Sequence, residues 1–379
     1  MRHVQALLDW FDRHRRDLPW RRKRDPYGIW LSEVMLQQTR VEVVLPYYER
    51  FLDRFPTVEA LAAAPLDDVL ALWSGLGYYR RARQFHAAAQ QIAASGAGFP
   101  RTLDGLLALP GIGGYTAAAV ASIAFGVVAP VLDGNVERVL TRWLTLEGDP
   151  KGSATRRRLL AAAEEFLDPA RPGDSNQALM ELGATLCVPR RPKCLLCPIV
   201  SGCRAAAAGD PERYPEARVK REAEKRRMVV AVVEGDSGVL LFRRPDDSPL
   251  LAGTWELPWV EDVAGEPAAA LAARYGGCWR LGPQVAEVRH GITFRDLTVA
   301  VHRAELASGK RQEVREGMPG ELAAGWFDAA GRTGLPLSSL VGKVLKKLHA
   351  LGGAGSPISP SDAASADPPA RRSRSRRRG

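Results

Sequence analysis

The chain is expected to be multidomain, with an all-α domain followed by an α+β domain, and three observations lead there. Its 379 residues exceed what one hydrophobic core usually organises. Up to about residue 203, alanine- and leucine-rich segments are broken by Pro and Gly at short intervals, as in a bundle of short helices. Beyond that point the apolar runs become β-branched and pair around turn residues, which signals strands.

In chain order, helices are expected over 58–73, 80–94, 102–109, 115–125, 136–146 and 155–167. Residues 204–227, rich in Ala, Glu, Lys and Arg around Pro211 and Pro215, read as a charged connector. In MVVAVVEGDSGVLLFRR two β-rich runs flank Asp236-Ser237-Gly238, a hairpin signal. Strands at 284–290 and 296–304, with a helix at 267–275, complete the α+β domain. The expected division is therefore 1–203, 204–227, 228–352 and a Ser-, Pro-, Ala- and Arg-rich tail, 353–379, expected to be disordered.

The formal charge of +10 favours a polyanionic partner, although six arginines of the tail (Arg371, Arg372, Arg374, Arg376, Arg377, Arg378) supply part of it. No apolar run approaches the roughly 18 to 20 residues of a membrane helix, and the charged N-terminus lacks a secretory pattern, so a cytoplasmic protein with no membrane partner is expected. Cys187, Cys194, Cys197 and Cys203 crowd into 17 residues as C-x6-C-x2-C-x5-C. That density points to a metal or iron–sulfur cluster; structural zinc, which more often uses two separated CxxC pairs, is the competing reading. Cys278, far from them, reads as a buried thiol.

Besides the cysteines, four stretches carry chemistry. LPGIGGYTAA (109–118) sets bare backbone, including Gly111 and Gly113, before a helix N-terminus; it is an anion-binding turn or a tight helix–helix corner. Glu33, in SEVMLQQTRVEVV, has Ile29, Trp30, Leu36 and Gln37 three and four positions away and so no local cation. It is a general-acid candidate with a raised pKa, or a solvated helix glutamate. Asp133, in VLDGNVERVL, suits a helix N-cap and also the second carboxylate that glycosidic cleavage needs. Tyr78 and Tyr79 follow a glycine pair and precede Arg80, Arg81 and Arg83, as base-wedging aromatics beside backbone-gripping cations or as core residues.

Together LPGIGGYTAA, the aspartate of VLDGN and the cysteine spacing resemble the helix-hairpin-helix, iron–sulfur DNA glycosylases of the endonuclease III superfamily. LPWR, SEVMLQQTRV, GLGYYRRAR and LDGNVERVL narrow the resemblance to its adenine DNA glycosylases, of the MutY type, over residues 5–203. VVAVVEGDSGVLLFRRP and LLAGTWELPW resemble the Nudix-like lesion-recognition domain of that family. PAAALAARYGG lacks the glutamate cluster of a Nudix hydrolase, so this domain is expected to recognise rather than hydrolyse.

The resemblance implies an adenine DNA glycosylase that acts as a monomer on duplex DNA containing adenine opposite 8-oxoguanine or guanine and starts base excision repair. Glu33 would protonate the adenine ring and help activate water, Asp133 would stabilise the oxocarbenium ion, and Asn135 would orient the site. In bifunctional relatives a lysine follows the hairpin and forms a Schiff base. Here Tyr115 follows it, which implies base removal without strand cleavage and contact with the sugar and its carboxylates. Arg21 and Gln177 match positions near the extruded adenine, while Gln38, with its neighbour Thr39, and Tyr78 match positions at the lesion pair. The four cysteines would hold a 4Fe-4S cluster that, beside Arg190, Arg191 and Lys193, has a structural and DNA-positioning part. The family's lesion-reading Phe-Ser-His falls on Ile292, Thr293 and Phe294, which keeps only the hydroxyl of Thr293, with His290 placed to compensate. Two other readings stand beside this one: a glycosylase for thymine or uracil opposite guanine, and a noncatalytic DNA-binding redox sensor.

Overall fold

The structure is a computed structural model that describes residues 2–150, 152–216, 222–262, 266–292, 294–307 and 322–351. Thr293 and the tail 353–379 lie outside the described residues.

Residues 2–207 form helices around two adjoining cores. One gathers Trp30, Phe51, Phe55, Trp73 and Phe85; the other gathers Leu7, Phe11, Val136, Leu140, Leu159 and Leu182. Between them runs the helix Gly114–Phe125, which gives Ala117, Val120 and Ala121 to the first core and Ala118 and Ala119 to the second. A helix buried on opposite faces must be apolar all round, and small side chains let its neighbours approach. Gly173 shows how near they come: a Cβ there would meet the carbonyl oxygen of Ser122 at 2.6 Å. The first residues of this central helix, Tyr115 among them, therefore sit at the seam of the two cores.

The segment expected as one helix over 58–73 is two, Val58–Ala63 and Leu66–Trp73, because Pro65 cannot continue the first. The charged connector begins with a helical turn, Arg204–Ala207, whose Ala205 is buried. It ends inside a strand that starts at Glu224, four residues ahead of the expected 228.

Strand Glu224–Val232 pairs parallel with Arg295–Ala307 and antiparallel with Trp259–Glu261, while Cys278–Ile292 lies antiparallel on the far side of Arg295–Ala307. A second sheet is centred on Gly238–Arg243, which pairs with Glu234–Gly235 across Asp236 and Ser237 and also with Trp255–Glu256 and Ala324–Phe327. Met228, Val230 and Val232 pack beneath helix Ser339–Leu351, and Val229, Ala231 and Val233 face helix Pro267–Tyr275. Coverage of both faces explains why that strand is continuously apolar from Met228 to Val232. The alternation corrects one expectation: on Cys278–Ile292 the inward place is taken by Trp279, so Cys278 is exposed. His290 is corrected too. It is buried, with Nε2 3.5 Å from Ser339 Oγ, so it is not available to a lesion-reading loop.

Candidate active site

Helix Pro26–Leu36 starts at Pro26 with Asp25 as its cap, the carboxylate accepting from the N–H groups of Tyr27 and Gly28. Every residue from Tyr27 to Met35 is buried, and Glu33, at 6% exposure, is the one ionisable carboxyl in that run. Tyr115, in the first turn of the central helix, donates its hydroxyl to Glu33 Oε2 at 2.6 Å, with Met180 Sδ 3.5 Å from the same hydroxyl. Burial pushes the Glu33 carboxyl up to about 7; Asp133 pushes the same way, and the Tyr115 hydrogen bond and the Arg21 charge oppose it. A carboxyl poised there carries a proton near neutrality.

Asp133 is the N-cap of helix Gly134–Leu144, with Oδ1 accepting from the N–H of Asn135 at 3.0 Å and of Val136 at 2.7 Å. Oδ2 accepts from Asn135 Nδ2 at 2.9 Å. Burial raises its pKa, and these three donors and the Arg138 charge hold against it. The capping and the catalytic readings of Asp133 therefore describe one geometry. Helix Pro172–Thr185 closes over this turn at Gly183, where a Cβ would stand 2.6 Å from that of Asn135.

Arg21 lies within electrostatic reach of Glu33 but is paired with Glu181 Oε2 at 2.8 Å. Gln177 is on the same helix as Met180 and donates back to the Gly173 carbonyl. Gln38 and Tyr78 both have left-handed backbones, with φ of 58° and 52°, and Tyr78 is 46% exposed. Tyr79 is core, which separates the two tyrosines that the sequence leaves equivalent. Thr39 donates to the carbonyl of Gln37, 3.4 Å away. In the hairpin turn Gly111 has φ +74° and sits against Gln84, and Gly113 caps the central helix with open space around it.

Arg138 and Arg142 were not singled out from the sequence, and Arg81, expected as a cation that grips a DNA backbone, is spent on the chain's own carbonyls. Arg81 donates to the carbonyls of Val34, Gln37 and Gly77, tying the Gln38 turn to the Tyr78 turn. Arg138 donates to Asn135 Oδ1 at 2.9 Å and to the Cys187 carbonyl at 2.7 Å, so one side chain touches both the Asp133 turn and the cysteine loop. Arg142, wholly buried, donates to the carbonyls of Val188, Pro189 and Tyr214 and to Cys187 Sγ at 3.4 Å. Apart from Gly77 and Asn135, these partners lie 44 to 72 residues away and leave no local pattern.

Cys194 opens and Cys197 follows one tight 3-10 turn, Cys194–Leu196, and Cys203 follows a second, Val200–Gly202. Burial raises Cys194, Cys197 (to about 11) and Cys203, and each thiol also feels Cys187, so the set shares one locality. Among the described residues no group of three or more His, Cys, Asp or Glu converges on a single-ion position. A lone zinc would need its sulfurs about 3.8 Å apart, whereas a four-iron cluster takes one thiolate per iron. Four neighbouring thiols with a guanidinium on one sulfur fit the second donor set.

A helical fold with a glycine hairpin, a buried and a half-buried carboxylate and a cysteine loop defines the class of helix-hairpin-helix repair proteins. Residues 31–165 match the family described as HhH-GPD superfamily base excision DNA repair protein, and residues 228–347 match the NUDIX domain. The chain is 35% identical to the adenine DNA glycosylase of Schizosaccharomyces pombe, over 69% of each protein. It is 39% identical to the human adenine DNA glycosylase, over 70% of this chain and 58% of that one, and 41% identical to the Arabidopsis thaliana one, over 67% and 47%. It thus spans about half the length of the Arabidopsis relative (47%). A solved thermostable thymine-DNA glycosylase superposes with a TM-score of 0.50 at 31% identity, over 54% of this chain and 95% of that one. The chain belongs to the adenine DNA glycosylase family.

Proposed function

We propose that the protein hydrolyses the N-glycosidic bond of adenine opposite 8-oxoguanine or guanine in duplex DNA, and that it works as a monomer and leaves an abasic site. The observation that carries this is the Glu33 carboxyl, buried, held by Tyr115 and brought to about 7, within electrostatic reach of Asp133. Adenine must leave the base stack to reach such a buried acid. Protonated Glu33 gives its proton to a ring nitrogen of the base, and the glycosidic electron pair departs with it. The Asp133 carboxylate, aimed by Asn135 Nδ2 and two backbone N–H groups, faces the oxocarbenium-like sugar. Water then adds to the anomeric carbon, and its proton returns to the Glu33 carboxylate.

Tyr115 has no amine with which to form a Schiff base, so the strand stays intact. Arg21 and Gln177 approach the extruded base, while Gln38, Thr39 and Tyr78 work at the mispair, and Gly111 and Gly113 present backbone to a phosphate. Cys187, Cys194, Cys197 and Cys203 hold a 4Fe-4S cluster, which supplies structure and DNA positioning and takes no part in the bond chemistry. Helix Pro267–Tyr275 has no acidic residue, which supports a second domain that recognises the lesion strand without hydrolysing nucleotides.

The test is single-turnover release of adenine from a duplex with adenine opposite 8-oxoguanine, with and without alkali. Adenine release with strand breaks only after alkali is expected. Preferential release of thymine or uracil opposite guanine would replace this reading with the pyrimidine one, and mispair binding with no base released would leave a binding protein.

A further inference from the structure

Tyr78 protrudes from a loop that the two domains grip from opposite sides. On the helical side, Arg81 Nη2 and Trp73 Nε1 both donate to the Gly77 carbonyl, at 3.3 and 3.1 Å. On the other side stands the main chain of a single residue of the second domain, Leu337. Its carbonyl accepts from Tyr79 Oη at 2.6 Å and from Ser74 Oγ at 3.4 Å, and its N–H donates to Ser74 Oγ at 3.3 Å. Ser74 and Tyr79 bracket residues 75–78, and within that bracket Gly75, Gly77 and Tyr78 have φ of 99°, 72° and 52°. A left-handed tyrosine persists only where its surroundings over-determine it. Leu337 is itself fixed to the second sheet: it bridges to Trp255, whose N–H donates to the Pro336 carbonyl and whose own carbonyl accepts from the Ser338 N–H.

We infer that the Leu337 main chain is a latch by which the second domain holds Tyr78 in its protruding conformation, and that Ser74 and Tyr79 are positioning residues for engagement of a mispair. The inference rests on the reading of the helical domain as a mispair-acting glycosylase. It gives the second domain a task in addition to facing the lesion: it sets the wedge of the other domain. Among the described residues, the other cross-domain hydrogen bonds differ in kind. Arg83 to Asp246 and to the Ala252 carbonyl, and Arg243 to Asp67, join the domains without touching residues 75–78.

The experiment uses the full chain carrying Tyr79→Phe, Ser74→Ala or, as a docking control, Asp67→Asn. Two readouts are taken: amide hydrogen exchange at 75–78, and the ratio of Kd values for a duplex with adenine opposite 8-oxoguanine and the same duplex fully paired. Loss of one net hydrogen bond predicts exchange at 75–78 faster by about fivefold and a mispair preference lower by about as much, with paired-duplex Kd unchanged. Asp67→Asn is expected to move neither. Unchanged exchange in both latch variants, faster exchange with an unchanged preference, or an equal effect of Asp67→Asn would each overturn the latch. If Tyr79→Phe fails to fold, Ser74→Ala, which leaves the buried ring in place, carries the same expectations. A parent chain without mispair preference overturns the glycosylase reading and, with it, the wedge function, while the exchange data still decide whether Leu337 restrains the loop.

Discussion

The Tyr115 hydroxyl donates to Glu33 at 2.6 Å, and this bond pulls down a carboxyl pKa that burial pushes up, the balance lying at about 7. Two opposing effects thus set the proton on one group, and the pH dependence of base release follows. The acid form is lost as pH rises, so the single-turnover rate is expected to fall above about pH 7. Tyr115→Phe removes the effect that lowers the pKa, so its descending limb should move to higher pH. A limb that stays in place or moves down would show that the hydrogen bond does not control the acid. Glu33→Gln should cost roughly 10²- to 10⁴-fold in rate below about pH 7, with the gap to the parent narrowing above it.

The same shift makes a statement about stability. A carboxyl whose folded pKa is raised binds its proton more tightly in the folded state, so its favourable contribution is complete below about 4.5 and is lost as pH rises through about 7. Ionised and buried, Glu33 costs up to about 3 kcal/mol. Glu33→Gln is therefore expected to gain stability over the parent at pH 8 and little at pH 4, as read by denaturant melts at both.

Asp133 separates a structural role from an electrostatic one. Asparagine caps helices as well as aspartate does and keeps an oxygen for the N–H groups of Asn135 and Val136. Asp133→Asn should therefore leave the melting temperature within a few degrees of the parent while lowering single-turnover base release by roughly 10²- to 10³-fold, the scale of losing one preorganised electrostatic contact. A parallel fall in stability and rate would reduce Asp133 to a cap.

The two carboxylates were legible because their clues are local: Asp133 precedes Gly134 and Asn135 at a helix start, and Glu33 has no cation within a turn. The seam that brings them together was not, because burial of the central helix on both faces depends on which helices pack there, and an alanine-rich run fits several answers. Arg138 and Glu181 escaped notice because the Cys187 carbonyl lies 49 residues from the one and Arg16 165 from the other, and Arg81 was read as a DNA-gripping cation because its Gln37 carbonyl partner lies 44 residues away. Pro65 did carry a local signal, and it splits the helix expected over 58–73. Cys278 was misjudged because residue type suggested burial while strand alternation gives the inward place to Trp279.

The cysteine loop and the Asp133 turn are joined by Arg138, which donates to the Cys187 carbonyl and to Asn135. Removing a cluster ligand by Cys197→Ser should abolish the visible absorption of an iron–sulfur centre and weaken duplex binding. Arg138→Ala should instead retain the absorption and slow base release at saturating DNA, because Asn135 loses the group that aims it at Asp133. A variant at Arg138 that binds and cleaves as the parent does would show that Asn135 is held by Asp133 alone.

Glu181 offers the sharpest test of the scaffold. Its side chain is fully buried and receives Arg16 at 2.7 Å and Arg21 at 2.8 Å. Burial alone would raise its pKa, and the two guanidiniums outweigh burial and hold it below the ordinary value. A depressed carboxyl stabilises the fold above its unfolded pKa, and the contribution is lost as pH falls through the folded value. Glu181→Gln keeps the volume but leaves the largely buried Arg21 without a counter-ion, at a cost of about 3 to 5 kcal/mol, the lower figure favoured because Arg16 reaches solvent. Denaturant melts at pH 7 should show the full loss, and at pH 3 the gap between parent and variant should narrow. An unchanged gap at both values would mean that Glu181 contributes through shape and not through charge.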